Sequence, residues 1–295
     1  MGILKDQMIR HMQMAGFAQK SIDLYTCCIN CFARHFRRSP LAISRAEAGD
    51  FLHFLRVSGR SESTLRIYLI ALAYFYRMHG IAERIPEFTF KRRSRILPDI
   101  LSQAEVFQLL EGCDSLQFKT IFTLIYSAGL RVSEAANLRP ADIDFTRKQI
   151  HVRNGKNNKD RFTVLADKAV DLLRSYLLEY RPVDWLFFVP GKPAIPLPVD
   201  SIQQRFKALV RRAGITKRIH IHSLRHCFAT HLLENNTNIF HIMHLLGHSQ
   251  IQTTMVYLHM QALETLHVRS PLDCQHQTVS TGHLREQLQL RLLTA

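Results

Sequence analysis

His222-Ser223-Leu224-Arg225-His226 and, further along, Leu246-Gly247-His248-Ser249 leading to Thr253-Thr254-Met255-Val256-Tyr257 form the stretch on which the reading of this chain turns. From His222 the pattern is helical to about Leu266. His222 and Arg225 lie three apart and so share one helix face. Gly247 places His248 at a turn, and a tyrosine follows nine residues after that histidine. Each residue alone is ordinary: a helix arginine is usually at the surface, a histidine is usually structural, and a tyrosine usually packs. In this order they supply cations, proton carriers and a phenol.

Those are the parts that breaking a phosphodiester requires. Its pentacoordinate transition state carries extra negative charge, which fixed cations must meet. Arginine suits the task because its planar fork matches two phosphate oxygens and keeps its proton. A nucleophile must attack and an acid must protonate the leaving oxygen. Upstream, Ser127-Ala128-Gly129-Leu130-Arg131-Val132-Ser133-Glu134 adds Arg131, where a glycine turn leads into a short helix. Two strand-like runs, Gln149 to Arg153 and Arg161 to Leu165, flank the polar turn Asn154-Gly155-Lys156-Asn157-Asn158-Lys159-Asp160, a hairpin with lysines at its tip. A free phenol has a pKa of about 10, so roughly one in a thousand is ionised at neutral pH. Nearby cations or a base lower that cost.

The stretches SAGLRVSE, GKNNKDR, HSLRHCFATHLL and LGHSQIQTTMVYLH together resemble the tyrosine recombinases, or phage integrase family, over residues from about 5 to 268. The resemblance implies a site-specific recombinase that cuts and rejoins duplex DNA without a cofactor. By motif, Arg131 and Arg225 would hold the scissile phosphate, His222 would assist proton transfer and His248 would hydrogen-bond the phosphate. Lys156 would protonate the departing 5′ oxygen, with Lys159 the alternative acid on the same loop. Tyr257 would form a 3′-phosphotyrosyl bond, and Glu134 would support the site. The resemblance also implies a homotetramer on two DNA sites in the cytoplasm. The segment from Leu266 to Asp273 resembles the C-terminal end of integron integrases, but the extra insertion of those enzymes has no clear counterpart, so no subfamily is assigned.

The expected fold is mainly α: a helical N-terminal core-binding domain over 1–88, a basic linker over 89–99, a mostly helical catalytic domain with a small antiparallel β-sheet over 100–268, and a tail over 269–295. Ile22, Tyr25, Ile29, Phe32 and Phe36 fall on one helix face. Ser44 with Glu47, and Ser102 with Glu105, form capping boxes. Gly80 suits a left-handed helix end. Asp200 reads as the cap of a helix carrying Ile202, Phe206, Leu209 and Val210, ended by Gly214. Lys91, Arg92, Arg93 and Arg95 make a basic linker, which reads either as a solvated charge run or as a segment lying on DNA phosphates, since the latter needs this composition. Leu284 to Leu293 could form one short helix.

The balance of charge agrees with a polyanionic partner. Lys plus Arg number 39 against 24 Asp plus Glu, a formal net charge of +15. Apolar residues at 46% suffice for buried cores, and no run approaches the ~20 apolar residues of a membrane span. Cys28 and Cys31 make a lone CxxC without a second pair, so the thiols read as buried and reduced rather than zinc-binding. Two other classes compete. The crowded histidines, with His222 and His226 four apart, could serve a metal-dependent nuclease or hydrolase, yet no HExxH occurs. A non-catalytic DNA-binding protein would not need every residue type of a phosphate site.

Overall fold

The structure is a computed structural model that describes residues 2–91, 99–153 and 160–259. The chain divides into two compact units, Met1–Arg95 and Ile96–Ala295.

The first unit packs four helices, α1 (Gly2–Met14), α2 (Gln19–Phe36), α3 (Arg45–Val57) and α4 (Glu62–Met78). The periodic apolar face of α2 buries Ile22, Ile29 and Phe32. They meet Phe51 and Leu52 of α3 and Leu65, Leu72 and Phe75 of α4. Phe32 and Phe51 sit edge to face at 5.1 Å. Burying one such ring stabilises the unit by roughly 2–3 kcal/mol. The Ser44–Glu47 capping box starts α3: Glu47 accepts from the Ser44 N–H at 2.8 Å, and its own N–H donates to Ser44 Oγ. Gly80 follows α4 with a φ of +70°, the left-handed end that the sequence indicates.

The second unit is also mainly helical, with small antiparallel sheets. After α5 (Gln103–Glu111), which the Ser102–Glu105 box caps, α6 (Leu116–Ser127) runs through the core, burying Ile121, Phe122, Leu124 and Ile125. A short α7 (Val132–Ala136) follows a turn at Gly129. Strands β1 (Ile143–Asp144), β2 (Gln149–Val152) and β3 (Arg161–Val164) form one sheet in that order. The register pairs Ile150 with Thr163 and Val152 with Arg161. Next come α8 (Asp167–Tyr180), a ribbon of β4 (Phe188–Val189) with β5 (Lys192–Pro196), and α9 (Val199–Arg212). The chain then enters α10 (Ile221–Glu234), α11 (Ile239–Leu246), α12 (Gln252–Met255) and a single 3₁₀ turn, Val256–His259.

Three readings of the sequence are corrected. Over the described residues, which end at His259, the helical run from His222 is three helices and a turn, because Asn236 and Gly247 take positive φ and end α10 and α11; residues 260–266 of that run lie outside them. Asp200 does not cap α9. Pro198 holds that position, and Asp200 sits in the first turn, where a carboxylate still suits the helix N-terminus. Strand β1 and the β4–β5 ribbon carry no alternation long enough to read. Of the thiols, Cys28, Cys113 and Cys227 are buried, but Cys27 is exposed and Cys31 half-buried. The tail, with Cys274 and the proposed helix from Leu284, lies outside the described residues, as do residues 92–98 of the expected linker.

Candidate functional site

Arg131, Glu134, His222, Arg225, His248 and Tyr257 converge within the second unit. The turn before α7 sets the first of them. Gly129 has a φ of +62°, and a Cβ there would lie 2.4 Å from the Phe228 ring. Only glycine lets the chain turn this close to α10. Arg131 then stands just before α7. Its N–H donates to Glu134 Oε2 at 2.7 Å and its Nη1 to Oε1 at 2.6 Å.

Glu134 is the hub. Arg161, on β3, donates to both carboxylate oxygens at 2.8 Å, and Arg225 Nη1 lies 3.7 Å from Oε2. Burial alone would raise the Glu134 carboxyl. The Arg161 hydrogen bonds, the Arg161 charge and then Arg131 outweigh it and hold the group down at about 2. Three guanidinium groups therefore share one carboxylate, leaving an excess of positive charge in a mostly buried site. That is an electrostatic seat for an anion.

Arg225 is 1% exposed. It donates to Gly129 O and Leu246 O, each at 2.6 Å, and its Nη2 is 3.2 Å from His248 Nε2. Burial and the neighbouring Arg131 push its pKa down, with Glu134 opposing, yet a guanidinium stays charged at neutral pH. Arg131 remains partly open, with 22% of its side chain exposed. Leu246 ends α11, and Gly247 follows at φ +63°. A Cβ on Gly247 would meet Arg161 Cδ at 2.7 Å, so this second glycine makes room for the Arg161 side chain. His248 is oriented from its other side by Thr254 Oγ1, 2.8 Å from Nδ1.

Tyr257 is 3% exposed. Burial raises its hydroxyl above the ordinary phenol range, while Arg225 and Arg131 pull the other way. Its ring lies parallel to that of His248, 6.4 Å between centroids. His226 Nδ1 is 3.2 Å from the hydroxyl. His222 packs edge-on against His226 at 4.8 Å. Burial first, then neighbouring cations, lowers both histidines to about 4, so both are neutral at pH 7.

Lys156 and Lys159 lie outside the described residues, as do Arg92, Arg93 and Arg95. The β2–β3 stems flanking the lysine loop are formed. Lys91 is exposed, and its backbone N–H donates to Glu62. Among the described residues no group of three or more His, Cys, Asp or Glu side chains is placed to hold a metal ion. His231, one of the crowded histidines, is tied to Tyr126 and to Leu101 O. No helix among the described residues is long and apolar enough to cross a membrane. The motif reading passed over two residues at this site, Arg161 and His226. Arg161 closes the GKNNKDR stretch and His226 follows the His-x-x-Arg pair, so their proximity was visible but not their contacts.

Residues 99–264 match the phage integrase family, and residues 4–80 match its N-terminal SAM-like domain. A tyrosine recombinase of Thermosipho africanus is 32% identical over 256 residues, covering 82% of this chain and 89% of that one. The crystal structure of XerA recombinase aligns with a TM-score of 0.53 at 28% identity, over 90% of this chain and 95% of that one. A lambda integrase dimer bound to a COC′ core site shares the fold at a TM-score of 0.71 and 18% identity, over 87% of this chain and 94% of that one.

Proposed function

The chain belongs to the phage integrase family as a site-specific tyrosine recombinase, and we propose that Tyr257 is the nucleophile with which it cuts duplex DNA. The arrangement of Arg131, Arg161 and Arg225 about the single Glu134 carries this reading. A phosphodiester brings the negative charge that this cluster lacks. Arg131 offers its open donors to a non-bridging oxygen, and Arg225 and His248, already in contact, complete the cradle. The phenolic oxygen attacks phosphorus, the bond to the 5′ oxygen breaks, and a 3′-phosphotyrosyl link remains. A lysine of the β2–β3 loop, Lys156 before Lys159, protonates the leaving oxygen. His222 lies beside His226 and supports proton movement at the site. A 5′-hydroxyl of another strand then displaces Tyr257. The link conserves the phosphodiester's energy, so rejoining needs no nucleotide cofactor.

Lys91, Arg92, Arg93 and Arg95 would lie along the DNA backbone. Relatives caught on DNA, such as the lambda integrase dimer on its core site, suit a duplex partner here. Strand exchange would take a tetramer on two sites in the cytoplasm. The test is a nicked suicide substrate with Tyr257→Phe. DNA binding should persist by gel shift while covalent trapping vanishes. A covalent complex in the Phe variant would remove Tyr257 from its role.

A further inference from the structure

The family motifs put proton transfer on His222, but another histidine touches the attacking oxygen. Among the described residues the hydrogen-bond partner of the Tyr257 hydroxyl is Nδ1 of His226, at 3.2 Å. Their rings lie 5.6 Å apart. His248 stacks on Tyr257, but its Nε2 faces Arg225 and its Nδ1 faces Thr254. His222 meets His226 edge-on rather than reaching the phenol.

We propose that His226 is the general base for Tyr257, accepting the phenolic proton at Nδ1 as the oxygen attacks phosphorus. This rests on the reading of Tyr257 as nucleophile. In the forward step the Nδ1 lone pair takes the proton and the ring becomes imidazolium. The phenolic oxygen forms its bond to phosphorus, and the bond from phosphorus to the 5′ oxygen breaks. That oxygen leaves with the electron pair and is protonated by the loop lysine. In the reverse step the imidazolium returns its proton to the departing phenol.

The surroundings suit a base that is idle without DNA. Burial first, and then its ionisable neighbours, among which Arg225 on the same helix is the fixed cation, keep the imidazole neutral. Its lone pair is thus available. Arg225 and Arg131 also face the phenol. A seated phosphate adds a negative charge to this cluster and favours the imidazolium as it forms. A positioned side-chain base contributes about 10² to 10⁴ in rate.

The experiment measures single-turnover covalent trapping by the full chain on a suicide substrate. His226→Asn keeps an acceptor near the Nδ1 position but cannot carry the proton. It should bind DNA as the wild type does and trap at least ~10²-fold more slowly. Replacing Tyr257 by 3,5-difluorotyrosine makes the phenol more acidic and lessens its need for a base. In that background His226→Asn should lose no more than about tenfold, against the full loss with tyrosine. An equal loss with both nucleophiles would show that His226 only positions the ring, and a variant within a few-fold of wild type would also sink the proposal. Should the Asn variant misfold, His226→Ala with added imidazole tests the same step. Imidazole-dependent recovery is expected, and its absence counts against the base. A Tyr257→Phe control separates the two ideas. Trapping in that control would overturn the nucleophile itself, whereas its loss beside a fully active His226→Asn would overturn only the base.

Discussion

Arg161 and Glu134 meet through two parallel hydrogen bonds, Nη1 to Oε1 and Nη2 to Oε2, each 2.8 Å long, with both side chains 7% exposed. Arg161 Nε also donates to Leu245 O at 2.9 Å. One side chain thereby joins β3, at the foot of the lysine loop, to α7 and to the end of α11. The hairpin cannot shift at its base without disturbing the carboxylate that orients Arg131.

Breaking this pair should cost far more than a surface ion pair does. Arg161→Met leaves Glu134 buried with less compensation, and a loss of about 3 kcal/mol is expected. Arg161→Lys keeps the charge without the fork and should recover only part of it. The chain has a single tryptophan, Trp185, in the same unit. Its fluorescence in urea reports the unfolding of that unit. A loss below about 1 kcal/mol would place the pair among ordinary surface bridges.

Acid should weaken this unit in two stages. His222 and His226 are held at about 4 by burial and nearby cations, against roughly 6.5 for a free imidazole. Their folded values are depressed, so between these limits the unfolded chain binds more protons. Stability is present in full above about 6.5 and declines as pH falls toward 4, by at most roughly 3 kcal/mol per histidine. Glu134, held near 2, adds a second decline below about 4.3, the free value. Urea midpoints from pH 7.5 to 3.5 followed at Trp185 should fall steadily. Midpoints that stay flat from 6.5 to 4.5 would mean that neither histidine is buried neutral.

Much of the architecture was legible because local chemistry decides it. Both capping boxes formed where Ser44 and Ser102 stand three residues before a glutamate. Gly80 and Gly247 took the left-handed turns that punctuate their helices. The site was harder to read because its partners come from distant elements. On β3 the alternation misleads: Phe162 is 53% exposed and Val164 41%, while Arg161 and Thr163 are buried. A strand that turns its polar residues inward does so because the partners wait there. Thr163 Oγ1 donates to Ala128 O, beside the turn that sets Arg131, and Arg161 meets Glu134. His226 was obscured for another reason. Several histidines surround it in sequence, and only the fold shows that its nitrogen reaches Tyr257 while His231 is tied to Tyr126.

The two arginines of the proposed phosphate cradle should separate in their effect on folding. Arg225 binds the carbonyls of Gly129 and Leu246. Arg225→Ala would strand two buried acceptors and a gap, and should lower the melting temperature markedly as well as activity. Arg131 is partly open and bonds only Glu134 among these groups. Arg131→Ala should melt within a few degrees of wild type yet slow cleavage by ~10² or more, the scale of one lost transition-state donor. Arg131→Lys should not restore the full rate, since an ammonium cannot fork to two oxygens. Cleavage within a few-fold of wild type in Arg131→Ala would remove that residue from the phosphate site.

The leaving-group acid can be identified by changing the leaving atom. If Lys156 protonates the departing 5′ oxygen, its loss should matter only while that atom needs a proton. A 5′-bridging phosphorothioate releases a thiol, far more acidic than an alcohol, and departs as the thiolate. Lys156→Ala should therefore be slow on ordinary DNA and near wild type on the sulfur-bridged substrate. Arg131→Ala should stay slow on both, because the charge it meets sits on the non-bridging oxygens. Arg161→Met provides a further contrast. It loosens the foot of the same hairpin without removing a proton donor, so sulfur should not rescue the part of its defect that comes from Glu134 and Arg131. Lys159 stands three positions after Lys156 and enters the same comparison. If sulfur rescues Lys159→Ala but not Lys156→Ala, the acid is Lys159. If it rescues neither, the proton comes from outside this loop, and His222 and His248 become the residues to test in the same pair of substrates.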